Sequence, residues 1–308
     1  MRLIAPDYYQ DFICIADKCR HSCCVSWEID IDEDTAEYYQ DVGGDIGKKL
    51  KENILQNEDG FSFRLDRNDR CPFLTGNGLC ELILELGEDS LCEICREHPR
   101  FRNYYSDRTE IGLGLCCESA AKMILTKSES VSIVCLRDDG ETEACESSEQ
   151  DTLSFRDMLV SIAQDRSYNI LERISIIESM AEPHGQLSPS ELAEFMLGLE
   201  RLDESWTGEL KSVSGVHSFD LPICFAATEW QAALEQLLVY LLYRHTQLEN
   251  FELFAISMWR LIAAILSSHS LRGEQVEIDD LIELCRMWSC EIEYSDENIE
   301  LINERLMN

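Results

Sequence analysis

Apolar positions recur at gaps of three and four along most of the second half of the chain. Leu159, Ile162, Ile170, Ile174 and Ile177 form one such series, which predicts two helices separated near 165–169. Ser188, Pro189 and Glu191 supply an N-cap, a first-turn proline and a capping-box acid ahead of LAEFMLGLERL. Segments 226–245, 250–269, 277–289 and 295–306 are likewise amphipathic or apolar, and each predicts a helix. No period of 20–50 residues repeats, so the pattern points to a compact helical domain and not a solenoid.

The first half reads differently. Asp34 and Glu37 form a capping-box-like start to a helix through TAEYYQ, which Gly43 and Gly44 interrupt and GKKLKENILQ resumes. FSFRLD (61–66) alternates as a short half-buried strand would. CELILELGEDSLCEICREHP reads as two short helices broken near Gly87, with Pro99 ending the second, and ESAAKMIL as a further one. The expected fold is mostly α: a loop-rich, Cys-rich metal-binding region over 1–126 packed on a helical domain over 151–308. The polar, acidic stretch 127–150 reads as a connector between them.

Composition narrows the function classes. A chain of 308 residues that is 45% hydrophobic can bury a sizeable core. Its net charge of −34 excludes a general affinity for nucleic acid, which needs a basic surface. Residues 1–125 carry 14 Lys/Arg against 25 Asp/Glu, and residues 126–308 carry 12 against 35. That surface aids solubility, and it would also steer a basic, lysine-bearing partner. MRLIAPDYYQDF has neither the basic nor the apolar region of a secretory signal. FAATEWQAALEQLLVYLLY, interrupted by Glu229 and Glu235, reads as a buried helix and not a membrane span. The expected compartment is the cytoplasm, with no membrane partner.

That expectation sharpens the question posed by the cysteines. Ten of the fifteen lie within the first 117 residues, and four fall in CIADKCRHSCC, as Cys14, Cys19, Cys23 and Cys24. Cys71, Cys80, Cys92, Cys95, Cys116 and Cys117 follow. Disulfides are rare in the reducing cytosol and an odd count cannot pair fully, so a staple is the weakest reading. Thiolates suit zinc and iron–sulfur clusters. Only Cys92-x2-Cys95 has zinc-ribbon form, and the C-x3-C-x2-C pattern of radical chemistry fails at Ser26. A redox switch at Cys92 and Cys95 ranks last, because Glu93 and Glu97 disfavour the thiolate. Cys224, which stands alone, reads as core.

PDYYQDFICIADKCRHSCCVSWEIDID, CPFLTGNGLCELILELGEDSL and CREHPRFRNYYSDRTEIGLGLCCESAA occur in this order over residues 6–121. In these motifs the chain resembles the flagellin lysine N-methylase family, part of a broader group of Cys-rich zinc- or iron-chelating proteins. EWQAALEQLLVYLLYRH adds a weaker likeness in the helical half. The resemblance implies a [4Fe–4S] cluster, with zinc as the alternative, and methyl transfer from S-adenosylmethionine to lysine side chains of flagellin or a similar surface protein. The alternative is a non-enzymatic zinc- or iron-binding module. The family's thiols fall on Cys14, Cys19, Cys23, Cys24, Cys71, Cys80, Cys95 and Cys116, the metal-ligand candidates. Cys92 and Cys117 are extras, and His98 stands where the family has tyrosine.

Methylation needs a neutral amine, so a base is sought among the acids beside the thiols. Glu110 and Glu118, which flank Cys116, are the catalytic candidates. Trp27, with Tyr8 and Tyr9, could hold a cation by its ring face, and Arg100 could pair with the carboxylate of S-adenosylmethionine. The glycine strings GGDIG (43–47) and GLG (112–114) lack a third glycine and, by pattern, a strand–turn–helix setting.

Overall fold

The computed structural model describes every residue except 58–59, 141–143, 182–186 and 218–220, together with the side chains of 223 and 224. Helix accounts for 54% of it and strand for 12%, so the protein is mostly α, as its apolar periodicity predicts. In chain order, strand β1 (Arg2–Pro6) precedes a cysteine-bearing loop and β2 (Asp30–Ile31). Helices α1 (Glu33–Asp41) and α2 (Gly44–Asn53) follow, then β3 (Ile54–Gln56) and β4 (Phe61–Phe63). Short helices α3 (Glu81–Leu86) and α4 (Glu93–Glu97) lead to β5 (Arg100–Tyr104), β6 (Arg108–Leu113), α5 (Glu118–Leu125) and β7 (Ile133–Asp138). The remainder is helical: α6 (Ser147–Ala163), α7 (Ile170–Glu178), α8 (Pro189–Met196), α9 (Glu204–Ser212), α10 (Thr228–Arg244), α11 (Phe251–Leu271), α12 (Ile278–Trp288) and α13 (Asp296–Met307).

Contacts divide the chain into two compact units that interleave in sequence. The helical unit comprises Met1–Phe12, Phe101–Cys116 and Ala120–Asn308; the cysteine unit comprises Ile13–Arg100 and Cys117–Ser119. This division differs from the expected 1–126, 127–150 and 151–308. The cause is β1, which pairs in parallel with β6 and antiparallel with β7. With β5 they form a four-stranded sheet in the order β5-β6-β1-β7. The stretch taken as a connector therefore contributes the edge strand β7 and the first turn of α6.

In the helical unit, α10 and α11 form the centre. Twelve of the seventeen residues of α10 and seventeen of the twenty-one of α11 are buried, which is why neither shows a polar stripe. By length and composition α11, not the α10 stretch, could cross a membrane, and 89% of its most apolar window is buried within the protein. Glu235 of α10 is buried and balanced by two arginines, Arg166 at 2.8 Å and Arg173 at 2.6 Å. The Ser188 capping box forms as its sequence predicts.

In the cysteine unit, β2, β4 and β3 make a small sheet over a core of Ile29, Ile31, Tyr39, Leu50, Phe63 and Phe73. Helix α1 begins two residues earlier than a cap at Asp34 predicts, because Asp32 is its cap and accepts from the Thr35 N–H at 2.9 Å. The other oxygen of Asp32 accepts from the Glu93 N–H at 2.8 Å, so one carboxylate ties together the starts of α1 and α4. Burial opposes its charge, but the N–H donors of Glu93 and Thr35 prevail and hold its pKa below the ordinary carboxylate value. A lowered folded-state pKa stabilises above the unfolded value of about 3.9, and the contribution is lost as pH falls through the folded value. Asp32→Ala is expected to cost about 1–2 kcal/mol in urea melts at pH 7. The gap from wild type should close in melts run well below pH 3; a gap that persisted there would discount the carboxylate.

Candidate metal centre

Local backbone explains how distant thiols meet. A β-bridge between Val25 and Arg70, with the Cys71 N–H donating to the Cys24 carbonyl at 2.8 Å, sets Cys24 beside Cys71. The chain then turns through Thr75–Gly78, where Gly78 has φ +78°, a conformation open to glycine at little cost. It returns along a Leu74–Cys80 bridge, bringing Cys80 back beside Cys71. Cys80 and Cys92 occupy the N-cap positions of α3 and α4, and one helical turn carries Cys95 near Cys92. His98 follows, its ring tilted over Trp27 at 5.9 Å between centroids.

The result is a group of five thiols: Cys71 and Cys92 lie within the cysteine unit's core, and Cys24, Cys80 and Cys95 pack against it. Cys24 is its electrostatic focus. Thiol hydrogen bonds from Cys23 and then Cys71 push its pKa down to about 3, while those two donors are pushed up. Cys92 is held down chiefly by the Cys95 thiol, which donates to it. Burial lowers His98 to about 4, leaving it neutral at pH 7 and able to offer a ring nitrogen. Cys92 is fully buried in this group, although its mismatch to the family motif had set it aside. Its C-x2-C spacing was the signal that could have included it.

A second set lies around Cys23, within electrostatic reach of Cys14 and Cys117, while Cys19 also neighbours Cys117. Burial pushes Cys19 up to about 11. Cys23 and Cys24 are adjacent in sequence, so each set takes one of the pair. Cys117, discounted on the same grounds as Cys92, therefore belongs among the thiols of the cysteine unit. Cys116 belongs to the helical unit. It is buried there beside Cys290 and the Tyr294 hydroxyl, and burial raises its pKa. The Cys224 side chain lies outside the described residues.

Among the described residues, no three His, Cys, Asp or Glu side chains already surround a point that one metal ion could occupy. Zinc would draw four sulfurs to about 3.8 Å from one another, given Zn–S bonds of about 2.3 Å. The donor chemistry nevertheless fits a thiophilic group, because five sulfurs and a neutral imidazole gather there, with the Ser22 hydroxyl beside Cys24.

The remaining candidates separate. Glu118 accepts from the Arg20 backbone at 2.9 Å and from its side chain at 3.0 Å, with His21 at 3.4 Å. Burial works against its charge, but Arg20 holds its pKa below the usual value, which weakens it as a base. Glu110, in the helical unit, is fully buried and paired with Arg156, and burial raises its pKa against the pull of that arginine. The indole N–H of Trp27 donates to the Cys23 carbonyl at 2.5 Å, placing Trp27 at the thiols. The Arg100 guanidinium donates to the Arg96 carbonyl at 3.3 Å.

The glycine strings also resolve. GGDIG joins two helices, α1 and α2. GLG spans the end of strand β6, ahead of α5, contrary to its pattern. Yet a Cβ on Gly112 would sit 2.3 Å from the Phe101 ring, so that glycine serves packing. The chain matches no protein-family model, no curated protein and no solved structure.

Proposed function

We propose that the protein is an iron–sulfur-containing protein lysine N-methyltransferase that transfers methyl from S-adenosylmethionine to lysine side chains of flagellin or a similar surface protein. The observation that carries this reading is the gathering of Cys24, Cys71, Cys80, Cys92 and Cys95 in and against the core of the cysteine unit. The ordered motifs over residues 6–121 supply the methylase part of it. Cys24, Cys71, Cys80 and Cys95 would hold the cluster, with Cys92 and His98 as adjoining donors. When bound, such a cluster supplies iron with Lewis-acid or one-electron chemistry. The protein's own task is to present a neutral lysine amine, which requires desolvation or a base. Buried Glu110 is better suited to that than Glu118, whose charge Arg20 already stabilises. The acidic surface would draw a basic substrate.

Anaerobically purified protein should contain about four iron and four sulfide per chain. With S-adenosylmethionine it should add methyl mass to lysines of a flagellin substrate. Zinc without sulfide, and no mass gain, would replace this reading by a zinc-binding module. Cys92-x2-Cys95 at the start of α4 already suits that alternative.

A further inference from the structure

Residues 13–23 of the cysteine unit form a loop without a core of its own. Its one regular element is a 3-10 turn at Ala16–Lys18, and none of its side chains is buried. Ala16 has φ +49°, a left-handed value that disfavours any residue with a Cβ. A stretch that buries nothing needs another source of order, such as a covalent staple or a metal.

The ties of this loop run to three consecutive residues. Cys117, Glu118 and Ser119 group with the cysteine unit, although the chain on either side of them belongs to the helical one. Each of the three reaches the loop. The Ser119 hydroxyl donates to the Ile13 carbonyl at 3.0 Å. Glu118 holds Arg20 by backbone and side chain, and the Cys19 thiol lies 3.7 Å from its carboxylate. Cys117 is within electrostatic reach of Cys19 and Cys23, and Cys23 of Cys14. The excursion of 117–119 thus brings a fourth thiol to the three of the loop.

Packing does not account for these four. Cysteine is among the most buried residue types, yet Cys14 and Cys23 are exposed and Cys19 and Cys117 half-buried. Sulfur selects a thiophilic ion over magnesium or calcium, which take oxygen; the carboxylate at hand, Glu118, is already engaged by Arg20. Zinc, which has no redox chemistry to shelter, suits an exposed position. Among the described residues the four thiols do not yet surround one point, and the coreless loop is the part that would close on an ion.

We propose that Cys14, Cys19, Cys23 and Cys117 form a second, structural site that takes one zinc ion, separate from the five-thiol group, and fixes the loop over 13–23 to Cys117–Ser119. The site does not rest on the methylase reading. Binding one Zn²⁺ through four thiols releases four protons and leaves a charge of −2, which Lys18 and Arg20, set among the thiols in sequence, offset. Cys23 and Cys24 then serve different centres across a single peptide bond.

The test uses the full-length protein, purified anaerobically and supplied with zinc, with all metals counted per chain. Cys14→Ser and Cys117→Ser should each lose one zinc and keep whatever metal the five-thiol group holds. Cys135→Ser, an exposed cysteine outside the site, should lose none. Cys117→His supplies another ligand that zinc accepts and should retain the ion, which separates a lost ligand from misfolding. Alkylation mapped by mass spectrometry should find Cys14, Cys19, Cys23 and Cys117 protected together with zinc and open together after chelation, while Cys135 reacts in both states. An unchanged zinc count in Cys117→Ser would overturn the site. So would loss of all metal in both Cys117 variants, which would merge the two groups into one centre, or a disulfide among the four in the purified protein. Absence of methylation with this zinc still bound would remove the proposed activity and keep the site. Methylation by a protein that never held this zinc would do the reverse.

Discussion

Glu293→Leu is expected to destabilise the helical unit by about 3–5 kcal/mol, the cost of leaving a buried charge without its partner. Past the end of α12 the backbone passes through a π-helical turn at Ser289–Glu293, a form that is rare and confined to short stretches. The turn directs Glu293 inward. There it accepts from the Tyr240 hydroxyl at 2.7 Å, the Arg244 guanidinium at 3.1 Å, His245 Nε2 at 2.9 Å and the Ser289 hydroxyl. All of these groups but Arg244 are buried to within a few per cent, and Arg244 is 10% exposed. Leucine would leave the guanidinium and three donors without this acceptor, whereas Glu293→Gln keeps an acceptor and should cost less. Trp288, fully buried and 6.2 Å from the His245 ring, provides a fluorescence signal for urea melts of both variants. A loss below 1 kcal/mol would mean that the π turn relaxes to admit water.

The same network sets an acid limit. Burial holds His245 below its ordinary value, so the unfolded chain takes up that proton first and stability falls as pH drops below about 6.5. Burial also works against the charge of Glu293, but Arg244 and its hydrogen bonds prevail and keep its pKa depressed. Its contribution is therefore present above about pH 4.3 and is lost as pH falls through the folded value. Wild type should lose stability in both steps, and Glu293→Leu should lack the second.

On the metal-binding reading proposed above, treatment with a chelator is expected to unfold the cysteine unit while sparing the helical one. The cysteine unit's strands have two or three residues and its α3 and α4 six and five, too short to persist alone. Thiolate ligation of a structural ion supplies on the order of 10–16 kcal/mol, more than such a core provides. Hydrogen exchange should lose protection across 13–100 and keep it in α10 and α11. Cys71→Ser should reproduce the loss without chelator. Unchanged protection in metal-free protein would make these thiols core residues and withdraw the ligand assignment.

Much of the fold is legible along the chain because helices are local. The gaps between Leu159 and Ile177, the caps at Ser188 and Glu191 and the halt at Gly87 each act over one or two turns, and the structure keeps all three. A cleft in the helical unit lined by Tyr8, Arg156 and Gln236 was not legible, because these residues come from stretches far apart in sequence. Nor was the four-stranded sheet: RLIAP shows no alternation that names Arg108–Leu113 and Ile133–Asp138 as its partners.

For the cysteines, sequence spacing alone established that thiols are concentrated before residue 118. Which sulfurs meet was decided by tertiary structure. The Val25–Arg70 bridge joins Cys24 to Cys71, and the start of α4 adds Cys92, while Cys116 and Cys117, adjacent in the chain, fall in different units. Helical periodicity and capping depend on neighbours three or four residues away, so one segment carries them. Strand pairing and thiol convergence depend on remote segments arriving together, and only the folded chain specifies that.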